Sequence, residues 1–544
     1  MLSMKTSESL RNKFIIDLFK TNIFPSIIFV FCILLTGIFR PLGAWYLKII
    51  TNSIISDGTT YLLSMIIIVC LIQVVNYSTK FIAGFVCWKL AKQLSLNIRI
   101  SILKHIHYMP FINFEKYKSG ELQSIIYNDS DVAGNTVYTV FSRLGTSFIT
   151  ALFTLIIMGM MDWKITMFVV TISIVFSVIN QRFLLNIKKH NKVSRTALGD
   201  ITNSVVNSCE TIDTIRAYNA QDYKIGWFKK QRSIYNDAMM NISKIDGTRL
   251  SLYDVVNNFA LFGSILYMAN RATAGNESLG DVVAYMSLLT QALISIEMVF
   301  RWMSRLATNN AAWDRVHQIV ADGDESTILY EQAPITVNKL ELKSINFGYE
   351  ADKKILNNYS VMFEKGNVYG ISGGSGSGKS TLLKCILGLY DKNDADFVLN
   401  GKQEDKLLLH SLFSFVPADN FMFTGTIYEN ITMGKTDITE EMCMKYAMEL
   451  GIGDWINTLP NKLNSEVQEG GCNFSGGQRQ MLCILRALLS EKPIIVLDEP
   501  FSALDNEREL SLQNILEKIK ENKIVILTSH RANTMKCCDK ILEI

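Results

Sequence analysis

Through residue 320, long apolar runs are separated by short polar breaks; beyond it, short apolar runs alternate with charged stretches, as in a soluble α/β domain. A helix that crosses the hydrocarbon core of a bilayer needs about 20 mostly apolar residues. Runs of that kind lie near 22–48, 60–87, 138–161, 164–186, 250–271 and 280–303, which predicts six transmembrane helices. The fifth is the weakest, because "SLYDVVNNFALFGSILYMAN" carries Asp254, Asn257 and Asn258. The first apolar segment starts basic and lacks a small-residue cleavage site, so it predicts a retained membrane helix.

Six spans leave both termini on one side, and Lys and Arg decide which side. The N-terminus (Lys5, Arg11, Lys13, Lys20) and the connections near 88–135 and 187–249 are rich in them. The intervening connections "TNSIISDGTT", "MMDWK" and "NRATAGNESLG" contribute only Lys164 and Arg271. Positive residues favour the cytoplasm, so the termini and the soluble half are expected there. The long connections read as helical extensions broken by polar turns. An acidic, small-residue stretch at 321–336 reads as a linker between a membrane domain (1–320) and a soluble domain (337–544) that opens with the strand-like "LELKSINFGYE".

Composition adds exclusions. A chain of 544 residues exceeds one ordinary domain, and 49% apolar content fits a mixed membrane and soluble protein. A net charge of +3 with no basic block gives no reason to expect a nucleic-acid partner. The ten cysteines form no CxxC pair and no metal-like spacing with the six histidines, which points to reduced thiols.

Three stretches carry chemistry. In "VYGISGGSGSGKSTLLKCILGL" a buried strand (368–372) runs into Gly373, Gly374, Ser375, Gly376, Ser377, Gly378, Lys379, Ser380 and Thr381, then an amphipathic helix. Glycines let successive N–H groups face one concavity, and the helix N-terminus adds partial positive charge. Lys379 would reach the β- and γ-phosphates of a nucleotide and the Ser380 hydroxyl would sit on Mg²⁺. A flexible Gly/Ser turn shares the composition but not the flanking strand and helix. In "PIIVLDEP" a second buried strand ends at Asp498, which can hold Mg²⁺, and Glu499, which can polarise an attacking water. In "NFSGGQRQ", Ser475, Gly476, Gly477 and Gln478 can open a helix with an anion-binding end.

Placed between the other two, "NFSGGQ" resembles the signature sequence of ATP-binding-cassette (ABC) proteins, with Phe474 at the usual Leu. The resemblance extends over nearly the whole chain. Tyr349 in "FGYE" matches the aromatic that stacks on adenine, Asp505 in "SALD" the D-loop, and His530 in "LTSH" the switch histidine that senses the γ-phosphate. "PFINFEKYKSGELQSIIYNDSD" and "SCETIDTIRAYNAQD" look like the connections that carry coupling helices, and Glu469 like the acidic residue that touches them. The resemblance implies an exporter-type half-transporter: an all-α polytopic membrane domain of six helices fused to an α/β P-loop nucleotide-binding domain. It further implies ATP and Mg²⁺ as cofactors. Two chains, identical or not, would sandwich two ATP molecules between phosphate loops and signatures. A multi-pass protein of a bacterial plasma membrane is the expected setting.

Three departures stand out. In "FVPADNFMF", Ala418 occupies the position of the Q-loop glutamine, which implies slower or looser-coupled hydrolysis at this chain's own phosphate loop. Gly470-Gly471 replaces the common Arg-Gly, and "DKILEI" falls short of the family's C-terminal hairpin and helix. Polar residues in the spans (Gln291, Glu297, Asp254, Asn257, Asn258) read either as a polar pathway for cationic or peptide-like cargo or as interhelical hydrogen bonding. Peptides, lipids and amphipathic small molecules all suit the architecture. A nucleotide-gated regulatory subunit and an importer with an exporter-like fold are the alternative functions.

Overall fold

The computed structural model describes residues 2–57, 62–274, 277–321, 336–348, 355–374, 376–390, 395–404, 411–530 and 534–544. Two compact units emerge: Met1–Lys104 with Ser119–Ala321, and His105–Lys118 with Asp322–Ile544. Most of the expected linker, 322–335, lies outside the described residues.

In chain order the helices are α1 (Leu2–Thr21), α2 (Ile23–Asp57), α3 (Leu62–Tyr108), α4 (Phe111–Phe114), α5 (Ser119–Met161, with π-helical turns), α6 (Trp163–Glu210), α7 (Ile212–Ala217), α8 (Gln221–Thr273) and α9 (Leu279–Ala321). All but α4 belong wholly or mainly to the first unit. Among the described residues, five helices (α2, α3, α5, α6 and α9) contain segments long and apolar enough to cross a membrane. The fifth expected span lies within α8, a 53-residue helix in which Asp254, Asn257 and Asn258 dilute the apolar run. Phe24, Phe31, Leu71, Phe81, Phe259 and Leu266 are all exposed, as suits side chains whose solvent is lipid.

Polar staples gather where the sequence places the short connections. Asp162 caps α6 by accepting from the backbone N–H of Lys164 (2.8 Å) and Ile165 (3.2 Å). Its second oxygen pairs with Arg271 at 2.9 Å, and Arg271 also reaches Glu277 at 3.2 Å. Lys48 pairs with Asp281 at 2.6 Å, and the Gly280 N–H donates to Asn52 at 3.1 Å, joining α2 to the start of α9. On the arginine-rich side, the Arg315 guanidinium grips both oxygens of buried Asp129, with Nε–Oδ2 at 2.7 Å. Bidentate pairing of this kind fixes geometry as well as charge.

The second unit has two principal sheets. An antiparallel sheet has the order β2-β1-β4-β5, from β1 (Lys339–Phe347), β2 (Leu356–Glu364), β4 (Asp396–Leu399) and β5 (Lys402–Gln403). A five-stranded sheet has the order β11-β3-β10-β9-β6, from β3 (Val368–Ser372), β6 (Phe413–Val416), β9 (Ile494–Leu497), β10 (Ile524–Thr528) and β11 (Lys540–Glu543). All four pairings in it are parallel. Every residue of β9 and β10 is buried, as expected of parallel strands covered on both faces. The short pair β7 (Gly425–Thr426) and β8 (Glu466–Val467) ties the helical part of this unit together. Parallel strands carry their loops to one sheet edge, and ligands of open α/β sheets bind there.

Candidate nucleotide site

Each site segment leaves the C-terminal end of a neighbouring parallel strand. The phosphate loop follows β3, Ser529-His530 follows β10, Asp498-Glu499 follows β9, and Pro417-Ala418-Asp419 follows β6. Four segments far apart in sequence thus become adjacent by strand order alone.

The phosphate loop turns through Gly378 at φ +101°, a left-handed conformation that glycine adopts without the Cβ penalty. Helix α10 (Lys379–Ile386) starts there. The Lys379 ammonium folds across the loop, donating to the carbonyls of Gly373 (2.8 Å) and Gly374 (2.9 Å). Gly376 and Ser380 are exposed, Ser377 and Lys379 half-buried, and Thr381 is buried. The Ser377 hydroxyl is buried without a hydrogen-bond partner among the described residues. Ser375 and Tyr349 lie outside the described residues.

Thr528, at the end of β10, joins the two acidic residues. Its hydroxyl donates to Asp498 Oδ1 at 2.6 Å and accepts from the Glu499 N–H at 2.9 Å. Burial pushes the Asp498 carboxyl above the usual carboxylate range; Glu499 and Asp419 add to the shift, while Thr528 and Lys379 oppose it. Glu499 is held at φ +51°, a strained backbone for a residue with a Cβ. Its Oε1 lies 3.1 Å from Nδ1 of His530. The two residues assigned catalytic roles from sequence are therefore in direct contact.

Helix α11 (Gly476–Leu489) begins at Ser475. A capping box closes that end: the Ser475 hydroxyl accepts from the Gln478 N–H, and the Gln478 side chain accepts from the Ser475 N–H. A Cβ at Gly477 would sit 2.7 Å from the carbonyl oxygen of Ala503, so glycine lets the helix pack against the "SALD" turn. Fully buried Gln480 completes the link, donating to the Glu499 carbonyl (2.9 Å) and accepting from the Ala503 N–H (3.2 Å). Asp505 caps α12 (Asn506–Ile519), accepting from the Arg508 N–H at 3.0 Å. No hydrogen bond among the described residues joins Ser475, Gly476, Gly477, Gln478 or Asp505 to the phosphate loop. The polar groups of Ser475, Gln478 and Asp505 are engaged within their own helix ends.

Residues 26–296 match the family model described as "ABC transporter transmembrane region", and residues 356–502 match the one described as "ABC transporter". The chain belongs to the ABC transporter family. It resembles a "Putative export ATP-binding/permease protein" of Rickettsia bellii, 26% identical over 92% of this chain and 88% of the relative. An "ATP-dependent lipid A-core flippase" of Saccharophagus degradans is 26% identical over 90% of this chain and 83% of its own length. Among solved structures, a bacterial Atm1-family ABC exporter with ATP bound superposes with a TM-score of 0.83 at 18% identity, covering 97% of this chain and 93% of its own. The chain is an ATP-hydrolysing exporter-type half-transporter with an Atm1-type fold.

Two features of this ABC transporter are not legible in the sequence. The first is the set of residues met by α4, which lies in the stretch that resembles a coupling-helix connection and packs within the second unit. Glu115, just beyond it, accepts from Lys384 of α10 at 2.7 Å and from the Tyr390 hydroxyl at 3.1 Å. Phe111 lies 6.1 Å from the Tyr390 ring, which stacks on Phe347 at 4.2 Å. Lys384 and Tyr390 carry no sequence signal beyond those of an ordinary helix and its exit. The second is Gln480, whose buried role emerges only once α11 meets β9. The exposed loop after β6 has Ala418 with its carbonyl accepting from Asn420 at 3.0 Å.

Proposed function

We propose that this chain hydrolyses ATP at the C-terminal edge of its parallel sheet and couples the reaction to export of an amphipathic molecule, paired with a second half-transporter in a bacterial plasma membrane. The carrying observation is the convergence there of Lys379, Asp498 and the 3.1 Å contact between Glu499 and His530. Glu499 would orient and polarise the attacking water, Lys379 and the loop N–H groups would hold the phosphates, and His530 would sense the γ-phosphate. Tyr349 would stack on adenine. Catalysis of this kind rests on positioning and charge stabilisation.

Ser380 and Asp498 offer a hydroxyl and a Thr528-held carboxylate at this edge, hard oxygen donors that suit Mg²⁺; the described residues form no cage of three or more His, Cys, Asp or Glu. Mg²⁺ bound through one or two carboxylates and substrate phosphates needs no such cage. Bound there, the ion would neutralise phosphate charge. Completing each site would fall to Ser475, Gly476, Gly477, Gln478 and Asp505 of a second chain, since no hydrogen bond among the described residues joins this chain's own signature to its phosphate loop.

Replacing Glu499 with Gln tests the assignment. A lost general base costs about 10²–10⁴-fold in rate, so ATP turnover by the purified dimer should fall by at least about 10²-fold while bound ATP is retained. Undiminished turnover would sink the role given to Glu499. A second reading, a non-equivalent half whose own site is impaired, draws support from Ala418, whose methyl group can neither ligate Mg²⁺ nor hold water.

A further inference from the structure

The first unit contains a cavity of about 520 Å³ bordered by α2, α3, α5 and α9. Ligand pockets generally measure about 300–1,000 Å³. Its lining includes Arg40, Gln73, Asn76, Lys80, Thr290 and Gln291. Arg40 lies deep in the span Ile23–Ile55, and Lys80 is similarly far along the span that begins at Leu63. A cation at the bilayer centre costs about 2.5–3.5 kcal/mol on insertion scales and normally faces a partner or a cavity.

Glu297, the acidic residue of the last span, does not supply that partner. Its carboxylate is taken by Arg301 one helical turn away, with Nε–Oε1 at 3.1 Å. Neither Arg40 nor Lys80 forms an ion pair or side-chain hydrogen bond among the described residues. Two buried amides in the same wall are also unsatisfied: Asn76, 6% exposed, at Oδ1, and Gln291, 8% exposed, at Nε2. Buried polar atoms without partners are uncommon in folded proteins. Gly43 leaves space beside them, since a Cβ there would lie 3.0 Å from the Gln73 amide nitrogen.

We infer that this cavity binds the anionic group of the transported molecule, with Arg40 and Lys80 as charge partners and Asn76 and Gln291 as hydrogen-bonding neighbours. Two cations and an amide N–H suit an acceptor-rich anion such as a phosphate monoester, and the Asn76 oxygen suits a hydroxyl beside it. The sequence expectation of cationic or peptide-like cargo rested on Glu297, Gln291, Asp254, Asn257 and Asn258; in this cavity Gln291 is the one that takes part, Glu297 is paired with Arg301, and Asp254, Asn257 and Asn258 are not in the lining. The inference rests on the export reading and narrows its substrate class; the anion can be a lipid headgroup or a soluble phosphate ester.

The test is a binding titration of the full chain in phosphatidylcholine nanodiscs with dodecyl phosphate, glycerol 3-phosphate and dodecyltrimethylammonium. Dodecyl phosphate should bind, with affinity falling as salt rises. Arg40→Gln and Lys80→Gln should each weaken it about tenfold, equivalent to about 1.4 kcal/mol. Arg40→Lys and Lys80→Arg should retain most of the affinity. Glycerol 3-phosphate binding with the same losses identifies a soluble anion, whereas binding of dodecyl phosphate alone identifies a lipid headgroup. Salt-independent binding, unchanged affinity in both Gln variants, or equal binding of dodecyltrimethylammonium overturns the inference. Its failure leaves ATP-driven export standing, and failure of transport leaves this equilibrium binding to be read separately.

Discussion

Ala418 is a single missing amide at the end of β6, beside the strand that presents Asp498 and Glu499. Its neighbour Asp419 is exposed and adds negative charge toward Asp498, which burial and Glu499 already hold protonated to a higher pH than usual. A carboxylate there opposes the negative phosphates unless a cation intervenes, whereas a neutral amide can order water without that repulsion. Ala418→Gln should therefore raise the ATPase rate, or the amount of substrate moved per ATP, several-fold. Equal rates and equal coupling in both proteins would show that the loop functions without the amide. At this scale much of the site was legible: Gly-x4-Gly-Lys-Ser and the Asp-Glu pair announce themselves because backbone and charge requirements restrict residue type at fixed spacing. Gln480 and Thr528 were not, since a buried glutamine or a strand-end threonine has meaning only through its neighbour across the fold.

Among the elements, α4 has the most direct line to the site. Glu115 holds Lys384, five residues beyond Lys379 on α10, so the segment continuing from α3 grips the same helix that opens at the phosphate loop. The pair is partly exposed, with side chains 28% and 31% accessible, and such ion pairs add only about 0–1 kcal/mol to stability. Glu115→Ala should thus leave thermal stability nearly unchanged while lowering transport per ATP hydrolysed, and Lys384→Ala should reproduce it without additivity. A large drop in melting temperature with intact coupling would make the contact structural instead. The sequence identified this connection by its resemblance but could not name the residues it would meet, because that docking joins positions 269 apart. Similarly, α8 is a single long helix even though the apolar pattern within it is weak: helical continuity is set by its packing against neighbours, whereas a span prediction counts only apolar residues.

For the molecule as a whole, the order of parallel strands accords with the proposed sharing of two nucleotide sites between two chains. Phosphate loop, acidic pair and His530 share an edge, whereas Ser475 caps its own helix elsewhere. The charge distribution of the connections predicts cytoplasmic termini from sequence, and the polar staples at Asp162, Arg271 and Lys48 gather at the connections expected on the opposite side. Cargo chemistry was not legible, because whether a membrane charge is free or paired depends on the helix packing that isolates Arg40 and Lys80 and occupies Glu297. Under the proposed function, ATP hydrolysis at Glu499 drives outward movement of an amphipathic molecule. Its most direct measurement is the ATP-dependent transfer of fluorescent dodecyl phosphate into inside-out proteoliposomes by the purified dimer. Transfer is expected with ATP, none with a non-hydrolysable analogue, and none with Glu499→Gln. Transfer that continues in Glu499→Gln at the wild-type rate would contradict it.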